Sequence, residues 1–238
     1  MPAVSVALWG AVLADDEGRR SRERQWRRDR VVASLVSDGL CDPDTAQAIW
    51  QRALASFQVS WHEQHHTPGV AYCLGEGLAA HGLLPGPSFD TLVAELETRA
   101  LDDLPRVLPG AREALQALSA RWPVGLLCDV QITPAPVLRD CLEALDLSRC
   151  LDAAVFSDEV GASKPLRTGF RVIAEEIGVP LSELVHVGPS EARDVAGAKA
   201  AGAWAVRLGL GDDPSAAHAR CADLASCVEP IARHFHLP

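Results

Sequence analysis

The sequence predicts an α/β fold: a three-layer Rossmann-like sandwich with a parallel sheet, plus an inserted all-helical cap domain. Three observations predict it. After residue 110, short apolar runs alternate with amphipathic helical stretches, and strands spaced by helices of that length imply right-handed crossovers and a parallel sheet. One further apolar run stands alone near the N-terminus. Residues 17–105 separate it from the rest and carry helical patterns without a strand signal, as an insertion would.

The elements follow in order. Val4 to Leu13 reads as the first strand, a buried run within an apolar stretch from Ala3 to Ala14. That stretch lacks a preceding basic segment and is followed by acids, so it is not read as a signal peptide. Helical patterns cover residues 17–38, 43–58, 69–81 and 88–101, and Leu108-Pro-Gly110 ends the block. Then come a helix over 111–120, a strand over 123–128, a helix over 135–145 and a strand over 151–156. A helix over 166–178, a strand over 184–187, a helix over 191–201 and a strand over 203–208 continue the alternation. The tail, 212–238, reads as one or two short helices. Residues 1–16 and 106–238 therefore form the expected core, and 17–105 the cap.

Composition bounds the function. Hydrophobic residues make up 48% and charged residues 23% of 238 positions, as in ordinary soluble domains. No apolar run reaches the roughly 20 residues of a membrane span. A net charge of −10 argues against nucleic-acid binding. The 7 cysteines are scattered without a CxxC pair, which fits reduced thiols in a cytoplasmic protein better than a disulfide framework or zinc site. Against the acidic background stands one basic run, Arg19 to Arg30. With Glu23 and Asp29 interleaved it reads as a solvated helix face, or as a patch for a small anionic molecule or an acidic carrier protein. The oligomeric state is not legible.

In open parallel sheets ligands bind beyond the carboxyl ends of the strands. Those ends place Leu8 to Gly10, Cys128 with Asp129, the loop around Lys164, and Gly188 to Asp194 together. Gly161-Ala-Ser-Lys-Pro165, His186-Val-Gly-Pro-Ser-Glu-Ala-Arg-Asp194 and the run 199–203 occur in that order after Leu108-Pro-Gly110. In these motifs the chain resembles the haloacid dehalogenase superfamily, in its phosphatase-like branch with a helical cap inserted after the first strand. The resemblance implies an aspartate nucleophile and an acid/base aspartate at the end of the first strand, a Ser or Thr after the second, a lysine, and a final acidic motif. It also implies magnesium, held by the first and last of these. Here the first two positions are Leu8 and Gly10, the Ser/Thr position is Cys128, and Pro189 stands at the start of the acidic motif, while Lys164 and Asp194 match. A shifted register would use Asp15-Asp-Glu-Gly18 instead. Leucine cannot attack a substrate covalently, and magnesium needs carboxylate oxygens. Phosphatase or dehalogenase activity by the aspartyl mechanism, and magnesium binding, are therefore not expected, and no other cofactor is.

What survives supports two readings. Lys164 is one of only two lysines, and it reads as an anion ligand or as the partner of Asp194. Cys128 could become a nucleophile if a cation lowered its pKa, or it replaces Ser as a packing residue. Trp61-His-Glu-Gln-His-His66 puts His62, His65 and His66 at i, i+3 and i+4, able to share a helix face and touch substrate; no metal site is expected there. One reading is a non-catalytic family member binding a small anion or partner between core and cap through Asp129, Lys164, Ser190, Arg193, Asp194 and cap arginines. The other is a repurposed enzyme acting on a small metabolite or carrier-bound substrate through Cys128, Lys164, Asp194 or the cap histidines.

Overall fold

The structure, a computed structural model, describes residues 1–211 and 213–235. Along the chain run β1 (Ala3–Val6), α1 (Glu17–Ser37), α2 (Pro43–His62), α3 (Val70–Ala79), α4 (Phe89–Asp102), α5 (Ala111–Ser119) and β2 (Val124–Cys128). Then follow α6 (Ala135–Ala144), β3 (Ala153–Phe156), α7 (Ser157–Val160), α8 (Arg167–Ile177) and β4 (Leu184–Gly188). A π-helical turn, Glu191–Val195, leads into α9 (Ala196–Ala201), β5 (Trp204–Leu208), β6 (Ala219–Cys221) and α10 (Val228–His234).

Among the described residues the strands form one parallel sheet in the order β3-β2-β1-β4-β5-β6. With β1 central, its carboxyl end lies between those of β2 and β4. In that register Val6 pairs with Val187, and Ala7 N donates to Val187 O at 2.9 Å. The chain divides by its contacts into two units. One comprises Met1–Asp15, Pro105–Asp129 and Arg139–Pro238, the other Asp16–Leu104 and Val130–Leu138. Residues 130–138, which the sequence pattern puts with the α/β part, thus group with the helices.

In the α/β unit α8 and α9 bury Phe170, Ile173, Ala174, Val195 and Ala198 against Leu127, Val155 and Leu184 of the strands. In the helical unit Val31, Leu35, Ile49, Trp50, Phe57, Leu74, Leu92 and Leu96 form the core. No helix among the described residues is long and apolar enough to cross a membrane.

Three differences from the sequence pattern have physical causes. The first strand ends at Val6, because residues 8–13 turn back: Val12 N and Leu13 N both donate to Leu8 O, and Gly10 N to Leu13 O. An apolar run says that residues are buried but not whether they are extended. The tail carries a strand at one edge of the sheet, β6, too short for a periodicity signal. Asp212 and residues 236–238, which the tail reading includes, lie outside the described residues. The helical block keeps its four helices, with α2 running to His62.

The helical unit contains a buried charge pair. Arg27 Nη1 lies 3.1 Å from Glu23 Oε2, with both side chains under a tenth exposed. Arg27 Nε also donates to Leu96 O at 3.1 Å, and Arg99 Nε is 3.6 Å from Glu23 Oε1. Burial pulls the Arg27 guanidinium below its ordinary pKa and Glu23 opposes that shift. Removing Glu23 leaves the guanidinium buried without its carboxylate, so Glu23→Gln is expected to cost about 3–5 kcal/mol. On the same helix Arg24 pairs with Glu17 in solvent, and Arg24→Gln is expected to cost under about 1 kcal/mol. Urea unfolding midpoints of the two variants check the contrast.

Candidate functional site

The site is built on the carboxyl ends of β2, β1 and β4, and its polar centre is Asp194. Lys164 Nζ lies 2.7 Å from Asp194 Oδ1, with both side chains about 5% exposed or less. The same ammonium donates to Leu127 O at 3.1 Å, at the end of β2. His186 Nε2 is 3.3 Å from Asp194 Oδ1, and Ser190 N donates to Asp194 Oδ2 at 2.8 Å. Ser5 Oγ is 2.9 Å from His186 Nδ1. A carboxylate only accepts, so His186 carries its proton on Nε2 and accepts from the Ser5 hydroxyl on Nδ1. Ser5 and His186 face each other in the β1–β4 register, and both are fully buried.

Local structure explains this convergence. Asp194 sits in the π-helical turn, where Ser190 Oγ accepts from Arg193 N and Ser190 O accepts from Asp194 N and Val195 N. The turn brings the carboxylate onto Gly188, where a Cβ would lie 2.4 Å from Asp194 Cγ; only glycine leaves that room. Asp129, at the end of β2, accepts from Lys164 N on Oδ1 at 2.9 Å and so fixes the lysine loop.

Burial acts on each charge and partners override it. For Asp194, burial would raise the pKa, but Lys164 and His186 hold the carboxyl far below the usual range. For Lys164, burial would lower it, but Asp194 and Asp129 hold the ammonium above its ordinary value. His186 goes the other way: burial outweighs Asp194, and its pKa lies below the ordinary imidazole value.

Cys128 is a correction. It does lie near Lys164, as the sequence spacing suggests, but it is 1% exposed and burial drives its thiol pKa far up despite that ammonium. Its Sγ contacts Asp129 O at 3.5 Å. Burial thus favours its reading as a packing residue in place of Ser over that of a nucleophile.

The end of β1 is apolar. Leu8 is 1% exposed. Gly10 has φ +76, and a Cβ there would meet Pro189 Cγ at 3.0 Å. The three positions Leu8, Gly10 and Pro189 thus offer no side-chain oxygen. They do not fit the magnesium that the family resemblance implies. Of the carboxylates that remain, Asp194 has Oδ1 on Lys164 and His186 and Oδ2 on Ser190 N. Among the described residues no cluster of three His, Cys, Asp or Glu side chains could hold a metal ion.

The residues expected in the cap are placed differently. Helix α2 stops at His62, so His65 and His66 follow in irregular chain, with His65 at φ 51, and the shared helical face does not form. All seven arginines from Arg19 to Arg30 have partners within their unit. Arg20 and Arg24 meet Glu17, Arg27 meets Glu23, Arg28 meets Asp29 and Arg30 meets Glu95. Arg19 donates to Asp103 O, and Arg22 lies near the Asp103 carboxylate.

Sequence reasoning missed Ser5. The signal was available: a lone serine in one apolar strand and a lone histidine in the strand that pairs with it. Ser5, His186 and Asp194 have the order of a hydrolytic triad. However, Ser5 lies inside the sheet, where no substrate carbonyl reaches it; the chain of bonds orients Asp194.

Comparison with known proteins adds three findings. The sequence model of a family described as haloacid dehalogenase-like hydrolase matches residues 34–202. Phosphoglycolate phosphatase of Escherichia coli is 32% identical over 106 residues, covering 44% of this chain and 40% of the phosphatase, so the match spans less than half of that relative's length. Among solved structures, a HAD phosphatase from Thermococcus onnurineus superposes with TM-score 0.66 at 22% identity, covering 97% of this chain and 98% of the other. A 2-haloacid dehalogenase from Pseudomonas syringae gives 0.71 at 17%, covering 98% and 99%. At those identities the structures speak for the fold alone.

Two outcomes follow from the buried pair. Asp194→Asn strands the Lys164 ammonium and is expected to cost about 3–5 kcal/mol, whereas the double replacement Lys164→Met with Asp194→Leu costs less than that single one. Urea unfolding of the three proteins measures it. Stability also falls on acidification, in two limbs of the same sign. The lowered folded pKa of His186 means that the unfolded chain takes up its proton first, below about pH 6.5. The Asp194 contribution, whose folded pKa is also lowered, is complete above about pH 3.9 and is lost as pH falls further. Unfolding free energies across this range are expected to decrease monotonically, with the upper limb flattened by His186→Asn.

Proposed function

The chain belongs to the haloacid dehalogenase-like hydrolase family, and on that premise we propose that it is a non-hydrolytic member that binds a small anionic ligand at the carboxyl end of its sheet. One observation carries the reading. The ammonium and carboxylate that survive at the site, Lys164 and Asp194, are each other's partners at 2.7 Å, while the first strand leads into Leu8 and Gly10. A family hydrolase needs a carboxylate free to attack and a cation free to hold the substrate. Here Lys164 is committed to Asp194, and the attacking position is a buried leucine.

The groups we propose to meet the anion are Ser190 and Arg193. Both are half-buried in the turn that follows β4. The buried Lys164–Asp194 pair lies next to them, tied to Ser190 through its backbone N–H. Phosphate or carboxylate groups suit such a site, because a guanidinium and a hydroxyl both offer donors to anionic oxygens. The acidic carrier protein considered from the arginine run is less supported, since those arginines are matched by Glu17, Glu23, Asp29, Glu95 and Asp103.

Two assays test this. Phosphoglycolate, p-nitrophenyl phosphate and 2-haloacids are expected to show no turnover above background, with or without magnesium. Turnover abolished by Asp129→Asn or Asp15→Asn would overturn the non-hydrolytic reading. In calorimetric titration with phosphoglycolate and inorganic phosphate, binding is expected to weaken at least about tenfold in Arg193→Ala, a loss of about 1.4 kcal/mol. Equal affinity in that variant would remove Arg193 from the site.

A further inference from the structure

Residues 214–218 form a strap joined to the head of the π-helical turn by one carboxylate. Glu191, the first residue of that turn, accepts from Ser215 Oγ on Oε2 and from Ala216 N on Oε1, both at 2.7 Å. Arg207 Nη1 lies 3.4 Å from the same Oε2 and also donates to Pro214 O at 3.2 Å. Ser215 Oγ accepts from Ala217 N at 3.2 Å. The hydrogen bonds from Ser215 and Ala216 hold the Glu191 carboxyl below its ordinary pKa, so its charge persists at neutral and mildly acidic pH.

The strap is joined to the sheet at His218, one residue before β6. His218 N donates to Ala205 O at 2.9 Å, and Ala205 N donates to His218 Nδ1 at 3.0 Å. A ring nitrogen thus stands where a neighbouring strand would offer a carbonyl to β5. A backbone N–H only donates, so Nδ1 is the unprotonated nitrogen and Nε2 carries the proton. A protonated ring has N–H on both nitrogens and sets a donor against the Ala205 donor. The side chain is exposed, so protons from solvent reach it. The charged and titratable groups about it come from two helices. Lys199 of α9 acts on its charge and donates from Nζ to Ala216 O at 2.6 Å. His234 of α10 acts through Trp204 of β5, which stacks with both imidazoles, at 5.7 Å for His218 and 4.3 Å for His234.

We propose that His218 is a proton-operated latch: its protonation frees residues 214–218 from β5, and with them the hold on Glu191 that sets the turn bearing Ser190 and Arg193. The latch stands on the hydrogen bonds above; its effect on a ligand rests on the anion-binding reading. Partial burial, and then the Lys199 charge, put the His218 pKa below the ordinary imidazole value. The neutral, latching ring therefore predominates above about pH 6.5 and is lost only as pH falls through the lower folded value. Acidification opens the strap and a return to neutral pH closes it.

NMR on the intact chain between about pH 7.5 and about pH 5 tests it. The His218 ring is expected to titrate below about pH 6.5, and the hydrogen-exchange protection factor of the Ala205 amide to fall at least about tenfold with the same midpoint. In His218→Asn a side-chain carbonyl accepts from Ala205 N without titrating, and protection is expected to stay level. In His218→Phe, which keeps a ring but offers no acceptor, Ala205 is expected to exchange freely across the range. Unchanged Ala205 protection while His218 takes up its proton would overturn the proposal, and so would an equal fall in His218→Asn. Titration with sulfate, whose charge is constant over this range, reads the link to the turn. Its affinity is expected to fall with the Ala205 midpoint in the unaltered chain and to hold in His218→Asn. Sulfate affinity that ignores the opening of Ala205 would overturn the link. Sulfate that binds at neither end of the range would sink the anion-binding reading, and the exchange data would still decide the latch.

Discussion

The carboxyl end of this sheet is organised around the salt bridge between Lys164 and Asp194, at 2.7 Å and almost out of solvent. Two charges in such a place are tolerable only if each is fully partnered. The structure meets that condition with atoms from four segments. Leu127 O at the end of β2 takes the ammonium, Ser190 N in the turn after β4 takes Asp194 Oδ2, and His186 within β4 takes Asp194 Oδ1. Ser5 in β1 then sets the proton on the far side of that histidine. Satisfying a single ion pair therefore fixes the relative position of β1, β2, β4 and the lysine loop. It also explains why a serine and a histidine interrupt two otherwise apolar strands.

The same electrostatics make the substitutions around the pair mutually consistent. A site with one cation and several acids needs a metal or further cations to be stable. With Leu8, Gly10 and Pro189 in place, Lys164 pairs with Asp194 and its loop is held by Asp129, with no further acid from those three positions. Pro189 against Gly10 then closes the space with carbon, and Gly10's positive φ lets residues 8–13 turn back beneath it. Losing only the acids or only the lysine would have stranded a buried charge. The change is coherent as a set, which is how an apolar, stable site can arise from a polar family scaffold.

Much of the fold was legible because amphipathic periodicity and short apolar runs are strong signals in a parallel α/β domain. The four helices of the helical block and β2 to β5 lie close to where pattern places them. What escaped shares a cause: local hydrogen bonding that leaves no periodic mark. The backward turn at 8–13 looks like more strand, and the π-helical turn at Glu191–Val195 reads as ordinary helix. Strand β6 has three residues, and the break of α2 after His62 falls just before the Pro-Gly that announces it. At the site, the identities and nearness of Lys164, Asp194, Asp129 and Cys128 could be read from motif order. Their states could not, because burial decides them. The sequence places a cation beside Cys128, and only the depth of the site shows that burial defeats it.

The choice of lysine at position 164 follows from the same depth. This chain uses arginine almost everywhere else, and its other lysine, Lys199, reaches a surface carbonyl, Ala216 O, at 2.6 Å. An arginine at 164 would bring a flat fork with five donors. Asp194 already spends Oδ2 on Ser190 N and shares Oδ1 with His186, so it cannot accept a fork edge-on. The remaining guanidinium donors would be buried and would need acceptors beyond Leu127 O. A compact ammonium places its donors on Asp194 Oδ1 and Leu127 O. Lysine suits this place because Asp194 Oδ1 and Leu127 O meet it as a point charge.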